Sequence, residues 1–130
     1  MAKTVRYFDS SDGVAVEPGR IVEIATDLPV LDFAPGLTLR PLVGRNLLAS
    51  FVHCEAGAEA PLDSHVEEQV FIVVEGKFEL YLGDRIQLMR PGMAAMIPAH
   101  VPHSVRCLNA PGYQIDVFSP PRQAMLDALG

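Results

Sequence analysis

Tryptophan is absent, cysteine occurs twice, and no apolar run approaches the ~18–20 residues that a membrane helix needs; the densest is Val70-Phe71-Ile72-Val73-Val74. Cys54 and Cys107 lie far apart, and neither sits in a CxxC motif. A disulfide framework is therefore not expected, and two reduced thiols fit a cytoplasmic protein. Positive charge is also scarce. Ten Lys and Arg face sixteen Asp and Glu, for a formal charge of −6. That balance repels phosphate backbones and anionic bilayers, so neither nucleic acid nor membrane is an expected partner. Met1-Ala2-Lys3-Thr4-Val5-Arg6 does not lead into a hydrophobic signal segment.

What the chain does have is a 49% share of hydrophobic residues, enough for a packed core, and 130 residues, the size of one domain. Ten Gly and eleven Pro are spread along it. They divide it into short β-like runs over residues 20–26, 37–43, 47–54, 69–74, 77–82, 85–89, 93–97, 103–108 and 113–119. Turns such as Glu75-Gly76, Gly83-Asp84, Pro91-Gly92 and Ala110-Pro111-Gly112 separate them. This punctuation predicts an all-β sandwich or barrel over about residues 37–119, with an N-terminal arm over 1–19. Residues 120–129 read as a short helix, with Ser119 as the cap, Pro120 and Pro121 in the first turn, and Met125, Leu126 and Leu129 along one side. A homodimer is expected, paired through sheet edges and the arm before Arg20.

The informative stretch begins at Gly57. Five residues later come Asp63-Ser64-His65, then Gln69 after three more and Gly76 after a further six. Further on, Gly92 precedes Pro98 by five intervening residues, and His103 and Cys107 follow. Positions two apart on a strand share a face, so Asp63 and His65 can project together. A hairpin partner brings Gln69 beside them, and a later strand adds His103. Two imidazoles, a carboxylate and an amide oxygen suit a divalent Mn, Fe, Ni, Co or Zn ion rather than a thiolate-rich structural site. Asp63 has a second reading, as a solvated turn residue. Glu67 and Glu68 read as a solvated turn, and Cys107, four positions after His103, reads as a buried, inert thiol.

These spacings resemble the cupin family, whose motifs run Gly, five residues, His-x-His, three or four residues, Glu, six residues, Gly, and later Gly, five residues, Pro-x-Gly, two residues, His, three residues, Asn. Here Asp63 replaces the first His, Gln69 the Glu, His100 the second Gly, and Cys107 the Asn. The resemblance implies a double-stranded β-helix, or jelly-roll barrel, with a short C-terminal helix.

Glu68-Gln69-Val70, the run from Ile97 to His103, and Asp116-Val117-Phe118-Ser119-Pro120-Pro121-Arg122 are further similar to the small pectin-degradation cupins, which ketonise unsaturated uronates. That likeness implies a His/His/Gln/His-type metal set and a pocket using Asp116, Phe118 and Arg122. Strand parity alone puts Gln114, Asp116 and Phe118 on one face, either lining a pocket or facing solvent. A metal-dependent isomerase or lyase for a small oxygen-rich acid is the expected function. In that reading Asp116 moves a proton, Phe118 excludes water and Arg122 holds a carboxylate. A non-catalytic ligand- or metal-binding module is the alternative, and polyketide cyclases and metal-dependent dioxygenases are further cupin activities.

Overall fold

The computed structural model describes residues 18–130. Most of the arm expected over residues 1–19 lies outside them. A single helical turn, α1 (Ile24–Asp27), is followed by ten strands. These are β1 (Leu31–Ala34), β2 (Leu37–Val43), β3 (Leu48–Cys54), β4 (Glu59–Asp63), β5 (Glu68–Glu75), β6 (Phe78–Leu82), β7 (Arg85–Met89), β8 (Ala94–Ile97), β9 (His103–Cys107) and β10 (Gly112–Ser119). A helix, α2 (Gln123–Leu129), closes the chain. Six strands form one antiparallel sheet in the order β1-β2-β3-β10-β5-β8, and four form another in the order β4-β9-β6-β7.

Alternation builds the interior. In β3 and β10 every second side chain is buried, as period-two patterning requires of a sheet with one covered face. Phe71 and Phe78 meet edge to face with ring centroids 5.7 Å apart, joining the two sheets. Each such fully buried apolar side chain stabilises the fold by about 1.5–3 kcal/mol. Close approach matters at Gly112, where a Cβ would sit 2.6 Å from the Phe78 ring and 3.2 Å from the Cys107 sulfur.

Three local expectations change. Residues 20–26 do not form a strand. Asp27 Oδ2 accepts the Glu23 N–H at 2.8 Å and folds that stretch into the α1 turn, leaving Ile21 fully exposed. Ser119 does not cap the last helix: its hydroxyl donates to the Asn46 carbonyl, and α2 starts later, at Gln123. Strands β1 and β4 carry no clear mark in the sequence, since Asp32 breaks the pattern in one and Pro61 lies inside the other. Pro61 is tolerated because β4 is an edge strand, paired only with β9.

Candidate active site

Strand register assembles one polar cluster from distant segments. His103 opens β9 opposite Asp63, the last residue of β4, and opposite Leu82 of β6. On the other sheet Asp116 lies between Ser50 and Phe71, and Phe118 pairs with Gln69. His65, in the β4–β5 connection, leans over this cluster, its ring centroid 4.9 Å from that of His103 and 5.7 Å from that of Phe118. Asp63, Gln69, His103, Asp116, Phe118 and Arg122 all line one cavity of about 320 Å³.

Hydrogen bonds fix which atoms are free. His65 Nδ1 lies 2.9 Å from the Glu67 carbonyl, which can only accept, so Nδ1 carries a proton, and in the neutral ring Nε2 presents a lone pair. That Nε2 stands 3.1 Å from Gln69 Oε1. Turning the amide to donate there would break the bond its Nε2 donates to the Asp116 carboxylate Oδ1 at 3.0 Å. With the His65 ring neutral, two acceptors face each other, an arrangement that a cation between them would satisfy. His103 repeats the arrangement, giving its Nδ1 proton to the Val101 carbonyl at 2.9 Å and leaving Nε2 unprotonated. Burial, outweighing the Val101 carbonyl, lowers the His103 pKa and keeps the ring neutral. Two imidazole nitrogens and an amide oxygen with inward lone pairs fit a first-row divalent cation.

Asp116 is the candidate acid–base group. Burial pushes its carboxyl up to about 6, against the pull of donated bonds from Gln114 and Gln69 and of the Arg122 charge. Gln114 Nε2 donates to Oδ2 at 2.9 Å. Of the two faces open to Asp116 and Phe118, the structure selects the interior one.

Asp63 and Arg122 find each other. Arg122 Nη2 donates to Asp63 Oδ2 at 2.6 Å, while Asp63 Oδ1 accepts the Ser64 N–H. The carboxylate is thereby committed to the guanidinium. Among the described residues no cluster of three or more His, Cys, Asp or Glu side chains is arranged to hold a metal, so the candidate donor set depends on the Gln69 amide. Arg122 itself is only 9% exposed, rests on the Phe33 and Phe118 rings, and keeps a buried Nε without a partner.

Glu67 departs from the solvated turn expected of it. It is 4% exposed, its Oε2 accepts the Gln123 N–H at 2.9 Å, and its Oε1 lies 3.5 Å from His65 Nδ1. Nothing in its immediate sequence marks this role, because its partner is 56 residues away. Gln114, by contrast, was visible by parity with Asp116. Cys107 is buried, as expected of it, and Cys54 lines the same cavity. Burial, aided by Cys107 and Asp116, pushes the Cys54 thiol up to about 12, so it stays protonated.

Residues 50–112 match the cupin domain family. An RmlC-like cupin from Shewanella frigidimarina NCIMB 400 is 29% identical, with a TM-score of 0.75 over 82% of this chain and 96% of that one. KdgF from a Halomonas species is 28% identical, with a TM-score of 0.75 over 84% of this chain and 99% of that one. The polyketide cyclase RemF from Streptomyces resistomycificus, at 21% identity and a TM-score of 0.70 over 82% of each chain, shares the fold. No curated protein matches. Motif spacing, jelly-roll architecture and these likenesses agree: the chain belongs to the cupin superfamily.

Proposed function

We propose that this cupin is a metal-dependent isomerase or lyase that moves a proton within a small carboxylic acid. The observation that carries this reading is the convergence of His65 Nε2 on Gln69 Oε1 at 3.1 Å, with the same amide hydrogen-bonded to the buried Asp116 carboxyl, whose pKa is pushed up to about 6. His65, Gln69 and His103 would hold the cation. A divalent ion there supplies positive charge that polarises a carbonyl or hydroxyl oxygen.

The chain's own groups do the rest. Asp116, ionised at neutral pH, takes a proton from the acid and returns it to a neighbouring position, which balances as a tautomerisation. Arg122, held by Asp63, offers its remaining N–H groups to the substrate carboxylate. Phe118 backs the His65 ring and closes that side to water. Unsaturated sugar acids are the first candidates, on the likeness to the pectin-degradation cupins and to KdgF. A binding module without turnover is the second reading, favoured by the ion pair that already occupies Arg122.

Metal analysis and proton exchange in deuterated water separate these. His65→Ala and His103→Ala should each lower bound metal by more than tenfold, whereas Asp63→Asn should not. Asp116→Asn should retain metal and lose exchange by at least 100-fold. Full exchange in Asp116→Asn would overturn the catalytic assignment, and wild-type metal content in both histidine variants would overturn the ligand set.

A further inference from the structure

The cavity is polarised along the strands. On the six-stranded sheet its wall passes from Asp116, through Gln114 and its partner Val52, itself paired with Leu39, to Cys54 paired with Leu37. On the facing sheet it passes from His103, through Val105, to Cys107 paired with Phe78. The two gradients run the same way. A Cβ on Gly112, the cross-strand partner of Cys54, would touch both Phe78 and Cys107, so the apolar ends of the two sheets meet. From His103 to Cys107 the wall extends about 14 Å, at roughly 3.4 Å per residue.

The few polar groups at that far end are already engaged. Gln114 Nε2 donates to Asp116, and its Oε1 accepts the Cys54 thiol at 3.6 Å. Cys107 donates to the Ala110 carbonyl at 3.1 Å. A ligand hydroxyl placed among Leu39, Val52, Phe78 and Val105 would be buried unpaired, which weakens binding by about tenfold or more. A methylene placed there instead strengthens binding by about fourfold.

We infer that the acid bound here carries an unbranched alkyl or aryl arm lying along Leu39, Val52, Phe78 and Val105, rather than a hydroxylated carbon at every position. The inference rests on the proposed function only for the acid head. It keeps the acid head of the proposed function but replaces the sugar acids suggested by likeness with acids that carry an apolar tail.

Calorimetric titration tests it on the wild-type protein with 2-oxobutanoate, 2-oxopentanoate and 2-oxohexanoate. D-glucuronate, a 4,5-unsaturated uronate and 1-hexanol complete the panel. Affinity should rise about fourfold per methylene across the oxo acids, and both uronates should bind at least tenfold more weakly than 2-oxohexanoate. Val52→Thr, checked for folding by its melting curve, should weaken 2-oxohexanoate about tenfold and leave 2-oxobutanoate within twofold. The chain-length series needs no variant. Equal affinity along the series, or tighter binding of either uronate, would overturn the apolar arm while leaving an acid site standing. Binding of 1-hexanol with no acid bound would support the apolar end and overturn the acid reading. Binding of none would overturn both.

Discussion

Asp116 combines a free-energy cost with a use. Its carboxyl titrates near 6 in the folded chain against 3.8 for an unperturbed group, so the folded state keeps its proton longer than the unfolded state does. Stability from this group is present below about pH 4 and is lost as pH rises through about 6, a total of roughly 3 kcal/mol. In chelator-treated protein, urea unfolding at pH 4 to 7 should show that decline, and the difference between wild type and Asp116→Asn should reveal it. A pH-independent difference would refute it. His100 carries another local cost. It stands where the cupin motif has glycine and adopts φ 68°, while its N–H donates to the His65 carbonyl at 2.8 Å. His100→Gly should therefore raise stability by about 1 kcal/mol, read from the denaturation midpoint, with no change in metal content.

At the scale of elements, the last helix is too short to persist unaided. Seven residues are held by Met125 in the core, by the Glu67 carboxylate on the Gln123 N–H, and by the Arg122–Asp63 pair just before the helix. Two of these three ties end on residues beside His65, so docking of α2 and orientation of the imidazole depend on each other. Met125→Ala should cost about 2–4 kcal/mol in urea unfolding. The turn between β5 and β6 is constrained differently. Gly76 has φ 80°, and a Cβ there would lie 2.8 Å from Gly112 Cα and the Pro111 carbonyl oxygen. Gly76→Ala should lower stability by at least 2 kcal/mol, more than the backbone conformation alone accounts for.

The whole molecule presents a formal charge of −6 and several uncovered apolar side chains. Strand β7 is an edge of the four-stranded sheet whose Ile86 and Leu88 are 68% and 49% exposed on one face, and Met96 is 54% exposed on β8, an edge of the six-stranded sheet. Such edges invite pairing. A homodimer is the expected outcome of light scattering across a concentration series, and a monomer at every concentration would refute it. Among the described residues, no helix is long and apolar enough to cross a membrane.

Turn residues and alternation made the long central strands legible, because each depends on neighbours within a few residues. The spacing of Gly57, His65, Gln69, Gly92, Pro98 and His103 likewise brought out the family. Strands β1 and β4 were not legible, since an Asp and a Pro interrupt them and only cross-strand partners define them. The sequence by itself determined the β-rich architecture and the candidate donors. Tertiary structure alone decided that Asp63 turns to Arg122, that Glu67 ties His65 to the last helix, and that Asp116 faces inward. Each of these depends on a partner at least 47 residues away. Such pairings arise from register between strands, and register is a property of the folded chain.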